Sequence, residues 1–107
     1  MRVIARNTLK EFIASLAASL AGHKDQKAVA SALESWFHEA SRADWSSPAR
    51  IVRSYASASI VGPDRVVFNI KGNSYRLVTA VNYRRRIVFI KWIGSHAEYG
   101  RIDLKLT

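Results

Sequence analysis

The stretch from Arg65 to Arg76, Arg-Val-Val-Phe-Asn-Ile-Lys-Gly-Asn-Ser-Tyr-Arg, leaves few choices of local fold. It reads as a β-strand, a tight turn and the start of a second strand. Val66, Phe68 and Ile70 alternate with Arg65, Val67 and Asn69, which is the period of a strand with two different faces. The turn Lys71-Gly72-Asn73 lies between two hydrophobic runs, where glycine and asparagine readily take positive φ. Two more strand-like runs follow, Ser74–Asn82 and Arg86–Ile93, separated by the turn Tyr83-Arg84-Arg85.

The first half has a different period. Residues 2–5 suit a short strand. Thr8 followed by Glu11 fits a capping box, and Leu9, Phe12, Ile13, Leu16 and Leu20 then recur at helical spacing. Gly22 is expected to end that helix and Asp25 to cap the next. Val29, Ala32, Leu33, Trp36, Phe37 and Ala40 form a second helical stripe. A short link between two amphipathic helices predicts an antiparallel helical hairpin. Ser41–Ala58 reads as a loop broken by Ser46-Ser47-Pro48, with one helical turn allowed after the proline. Gly94 onward reads as a helical turn or a last extended piece. The expected fold is α+β: an N-terminal strand and two antiparallel helices packed on a small, mainly antiparallel sheet. With 107 residues, a single domain spanning 1–107 is expected. Trp36, Phe37 and Trp92 are assigned to the core, while Trp45 falls in a loop.

Composition narrows the function classes. There is no cysteine, so disulfides and thiol chemistry are excluded. No run approaches the roughly 20 apolar residues of a membrane span, and a cytoplasmic location is expected. The net charge of +9 is unevenly placed. Residues 1–47 carry six Lys/Arg against five Asp/Glu, whereas residues 48–107 carry eleven against three. The hairpin sits in the basic half. Arg65, Lys71 and Arg76 supply three cations and Asn69 and Asn73 two amides, with no carboxylate between Arg65 and Arg76. Such a surface suits a polyanion, RNA above all.

Longer motifs carry a family resemblance. Asn69-Ile70-Lys71-Gly72-Asn73-Ser74-Tyr75-Arg76-Leu77-Val78, followed by Gly94-Ser95-His96-Ala97-Glu98-Tyr99, resembles the HigB toxins of type II toxin–antitoxin systems. Met1-Arg2-Val3-Ile4-Ala5 with Leu9-Lys10-Glu11-Phe12, and Ala43-Asp44-Trp45 with Ser47-Pro48, extend the likeness along the chain. The resemblance implies a RelE-like fold and an mRNA interferase, which cuts mRNA often on the translating ribosome. It also implies a HigA-type helix-turn-helix antitoxin as partner.

Metal-free RNA cleavage uses the 2′-OH as nucleophile on the adjacent phosphate. The protein must help remove that proton, stabilise charge on the phosphorane and protonate the leaving 5′-oxygen. No cofactor or metal is called for. Arg76 suits the phosphate through its fork of donors. Lys71 could serve as a point charge, or as a base where neighbouring cations favour its neutral form. His96 suits proton transfer, and Tyr99 suits donation to an oxygen or stacking on a base. Lys71, Arg76, His96 and Tyr99 are thus the catalytic candidates. Arg65 and Asn69 share a strand face that could line an RNA groove, although Arg65 could instead pair with Asp64. Asn73 could contact RNA or only serve the turn through positive φ. Arg84, Arg85 and Arg86 suit a phosphate backbone. Lys91 shares strand parity with Ile87, Phe89 and Ile93, an isolated cation on an apolar face. Two other readings stay open: a non-catalytic RNA- or ribosome-binding module, and a domain whose basic face docks an acidic protein.

Overall fold

A computed structural model describes residues 1–102 of the chain. The elements run β1 (Arg2–Ile4), α1 (Arg6–Ser15), a 3₁₀ turn (Leu16–Ala18), α2 (Leu20–Arg42), α3 (Pro48–Ser54), β2 (Ser59–Val61), β3 (Arg65–Ile70), β4 (Tyr75–Asn82), β5 (Ile87–Ser95) and α4 (His96–Tyr99). The five strands form one sheet in the order β1-β5-β4-β3-β2. β1 pairs with β5 in parallel, and the other neighbours are antiparallel. This is the α+β architecture expected from the sequence, with β2 as an additional edge strand.

The N-terminal helices fold back on each other. Arg6 meets Glu34 at 2.9 Å, and the Gln26 side chain donates to the Ile13 carbonyl at 2.9 Å, so residue numbers run in opposite directions along the contact. Their boundaries differ from the expected ones. α1 begins at Arg6 with Ala5 as N-cap, and Asn7 rather than a backbone N–H takes the Glu11 carboxylate. The capping box of Thr8 and Glu11 therefore does not form. α2 starts behind Ser19, whose hydroxyl accepts from the Gly22 N–H at 3.0 Å. Gly22 thus lies inside the first turn of α2 instead of ending α1. A Cβ there would sit 2.4 Å from the Leu16 carbonyl oxygen, and this close approach of chain to chain accounts for the glycine. Leu20 is exposed, and Asp25 is internal to α2 rather than a cap.

The core lies between the helices and one sheet face. Val66, Phe68 and Ile70 of β3, Tyr75, Leu77 and Val81 of β4, and Val88 and Ile93 of β5 point toward it, joined by Leu9, Val29, Leu33 and Trp36. Phe68 is its centre: Trp45 stacks on it at 5.8 Å, while Trp36 and Tyr55 meet it edge-on, each at 5.3 Å. Trp45 is therefore a core residue, and α3, which extends from Pro48 for two turns, ends at Tyr55, whose ring meets Trp45 edge-on at 6.1 Å. Burying one such side chain contributes about 2–3 kcal/mol, so this aromatic cluster fixes how the helices sit on the sheet.

The other sheet face carries the basic hairpin. Its rows across the strands are Asn69–Arg76–Gly94, Val67–Val78–Trp92 and Arg65–Ala80–Phe89. A bulge in β5 breaks the alternation: Val78 pairs with Trp92 and Thr79 with Ile90, leaving Lys91 unpaired between them. Ile93 consequently joins the core, not the face of Phe89 and Lys91 as simple parity suggests. The same bulge puts Trp92 on the open face and not in the core.

Candidate functional site

β4 and β5 are antiparallel, so the end of β5 returns to the start of β4 and brings α4 beside the β3–β4 turn. Two hydrogen bonds complete the junction. The His96 N–H donates to the Ser74 carbonyl at 2.9 Å, and the Ser74 N–H to the Lys71 carbonyl at 3.2 Å. α4 is short but well capped. The Ser95 hydroxyl accepts from the Glu98 N–H at 3.2 Å, and the Glu98 carboxylate accepts from the Ser95 N–H at 3.0 Å. The Ser95 bonds hold the Glu98 carboxyl below its ordinary range. Glu98 thus shapes the helix that carries His96 and Tyr99, and is engaged with neither Arg76 nor His96.

Arg76 is the focus of the face. Its Nη1 donates to the side-chain oxygens of Asn69 and of Asn73, the latter at 2.9 Å. Asn69 is fixed at its other end as well, because its Nδ2 donates to the Ser57 carbonyl at 3.2 Å. The Arg76 guanidinium lies 5.8 Å from the Tyr99 ring centroid. Of its five N–H donors, the three on Nε and Nη2 bond nothing among the described residues. Two neutral amides and a ring therefore orient the cation without neutralising it. The structure brings together Asn69, Asn73, Arg76 and Tyr99 directly, and His96 through the Ser74 backbone.

Asn73 does not take positive φ. Lys71 at +54° and Gly72 at +62° do so instead, which leaves the Asn73 side chain to bind Arg76. Lys71 is turned away from this cluster. Its ammonium pairs with Asp25 of α2 at 3.1 Å, on the helix side of the sheet. The Tyr75 hydroxyl donates to the same carboxylate at 3.0 Å. These two bonds draw the Asp25 carboxyl below its usual range, Lys71 contributing most, while burial and then Asp25 push the Tyr75 phenol up. Asp25 is the residue that sequence reasoning missed here. Its partners lie 46 and 50 positions away, and no local pattern signals them.

The remaining cations lie elsewhere. Arg84 and Arg85 are exposed at the opposite end of β4. The eight residues of that strand separate the two turns by about 25 Å. Arg86 is built into the scaffold: its Nε donates to Asp44 at 2.6 Å, its Nη1 bonds the Tyr83 carbonyl, and its φ is +59°. That contact is the main reason the Asp44 carboxyl is held low. Arg65 shares the open face and pairs with Asp64 at 3.0 Å. Lys91, at the bulge, is exposed with its ammonium 5.9 Å from the Phe89 ring. Glu34 bonds His38 at 3.1 Å and Arg6 on the outside of the helices, and no group of three His, Asp or Glu side chains among the described residues is arranged to hold a metal ion.

No helix among the described residues is long and apolar enough to cross a membrane. A search of curated proteins finds no match. A family model described as HigB_toxin, RelE-like toxic component of a toxin–antitoxin system, matches residues 29–102, which include the β3–β4 hairpin, β5 and α4.

Proposed function

The chain belongs to the HigB family of RelE-like toxins, components of toxin–antitoxin systems, and from that premise we propose that it is an endoribonuclease cleaving mRNA on the translating ribosome. The observation that carries the reading is Arg76: a guanidinium oriented by Asn69, Asn73 and Tyr99, with three donors unspent among the described residues. Such a fork suits the non-bridging oxygens of a phosphate whose charge grows in the transition state.

The reaction needs no bound metal. The 2′-oxygen forms a bond to phosphorus as the bond to the 5′-oxygen breaks, leaving a 2′,3′-cyclic phosphate and a 5′-hydroxyl. One proton leaves the 2′-OH and one reaches the 5′-oxygen. Tyr99 lies against Arg76, and His96 begins the same short helix, bonded through its backbone to Ser74; we assign the proton transfers to these two. Lys71 acts as a second cation. Its bond to Asp25 is a partly exposed ion pair, a class worth about 0–1 kcal/mol, so an incoming phosphate can take the place of the carboxylate. Arg65 and Lys91 extend the RNA track along the open face. Arg84 and Arg85 hold ribosomal or messenger phosphates at the far end, with Arg86 supporting their turn. The protein acts in the cytoplasm, and a HigA-type helix-turn-helix antitoxin keeps it inactive until released.

The test is expression without antitoxin. Growth arrest and mRNA cuts within translated regions are expected, and Arg76→Ala should lose both while accumulating as folded protein. A fully toxic Arg76→Ala variant removes Arg76 from the site. RNA binding by a chain that leaves ribosome-bound mRNA intact would make it a non-catalytic module.

A further inference from the structure

Trp92 is the tryptophan that the core does not explain. Trp36 and Trp45 are buried at 1% and 3% exposure, on the helix side of the sheet. The bulge at Lys91 turns Trp92 to the opposite face, where it is only partly buried. Its indole lies across Gly94: a Cβ at that position would come within 2.5 Å of ring atoms Cζ2 and Cη2. Gly94 is the cross-strand partner of Arg76, so the ring reaches along the strand toward the Arg76 row. Tyr99 completes the arrangement. Its centroid is 6.4 Å from that of Trp92, with a tilt of 48°, and 5.8 Å from the Arg76 guanidinium. A guanidinium, a phenol and an indole thus stand in series on one face. In the same row as Trp92, Val67 and Val78 are covered, at 2% and 0% exposure, although they face away from the helices.

We propose that Trp92, seated on Gly94 and backed by Tyr99, is a stacking platform for one unpaired RNA base next to the phosphate held by Arg76. The inference rests on the RNA-cleaving function above and adds a substrate-positioning residue to it. The occupant follows from the chemistry of the face. A flat aromatic surface offers a base its π-face, while the adjoining Arg76 and Lys91 attract the phosphates that accompany it. Stacking of this kind is largely indifferent to base identity, so Trp92 contributes affinity and register rather than a strict sequence preference.

The experiment follows tryptophan emission as the intact protein is titrated with a single-stranded RNA oligonucleotide or with inorganic polyphosphate at one salt concentration. With Trp36 and Trp45 enclosed, a stacked base quenches Trp92. RNA is expected to quench and polyphosphate not to. Trp92→Leu should lose the quenching and bind RNA about tenfold more weakly, with its polyphosphate affinity unchanged. Trp92→Phe, which keeps a ring, should retain most of the RNA affinity and provides a second, milder variant. Equal quenching by polyphosphate, or wild-type RNA affinity in Trp92→Leu, overturns the proposal. The two ideas fail separately. Quenching by RNA without any cut in ribosome-bound mRNA would leave the platform standing and remove the nuclease. Cleavage with unchanged RNA affinity in Trp92→Leu would do the reverse.

Discussion

Arg76 and Asn69 show how one hydrogen bond can do the work that an ion pair would spoil. A carboxylate beside Arg76 would hold it firmly but would compete with a phosphate for the same donors. The Asn69 amide takes up a single nitrogen of the fork, and its own Nδ2 is pinned to Ser57. Asn69→Leu keeps the approximate size and removes both bonds. Stability should fall by only about 1 kcal/mol, since the site is part-exposed. The loosened guanidinium should slow single-turnover cleavage by about tenfold to a hundredfold, because misplacement of a catalytic group is costly. A wild-type rate in that variant would show that Asn69 does not position Arg76.

Among the elements, α2 and the β3–β4 turn form the coupled pair. Asp25 sits in the second turn of α2 and holds both Lys71 and Tyr75. The Lys71 and Tyr75 bonds hold its carboxyl below the ordinary value of 3.8 in the folded chain. A lowered folded-state pKa means that the unfolded state takes up its proton first as pH falls. The stabilisation is therefore complete above about pH 3.8 and disappears as pH drops through the lower folded-state value. Asp25→Asn should lower the melting temperature at neutral pH, and its deficit relative to wild type should shrink as the pH falls below about 3.8. A deficit that stays constant as the pH falls would mean that the carboxylate charge is not what secures the turn.

The same elements show what a sequence can disclose. The alternation of Val66, Phe68 and Ile70 with Arg65, Val67 and Asn69 identifies β3 and both its faces, because strand period is a local property. The return of β5 beside β4, which brings His96 and Tyr99 to the turn, follows from antiparallel order alone. Other features depend on distant atoms. Gly22 reads as a helix end but serves a close approach to Leu16. Lys71 reads as part of the cationic face but answers to Asp25, 46 positions away. The bulge at Lys91 shifts Trp92 and Ile93 by one face each, and a single lysine in a hydrophobic run does not announce it. At the site, Arg76, Asn69 and Asn73 were legible as chemistry; the bonds that join them were not.

For the whole molecule, charge placement matters more than total charge. Two pairs of cations mark the two ends of β4: Arg76 with Lys71 at one, and Arg84 with Arg85 at the other. The proposed division is cleavage at the first and anchoring at the second. Exchanging both Arg84 and Arg85 for alanine should weaken RNA binding for any sequence and flatten its salt dependence. The slope of log affinity against log salt should fall by about 1 to 2. Cleavage at saturating concentration should stay near the wild-type rate. A large loss of rate at saturation would place that turn in the chemistry instead.

The central claim is that the Arg76 face cuts mRNA. It is tested most directly by adding the purified, antitoxin-free protein to ribosomes programmed with a defined mRNA and mapping the RNA ends. Wild-type protein should generate cuts within the translated region that end in 2′,3′-cyclic phosphates. Arg76→Ala, with an unchanged melting temperature, should leave the message whole. An intact message with wild-type protein, or equal cutting by the Arg76→Ala variant, would contradict the account.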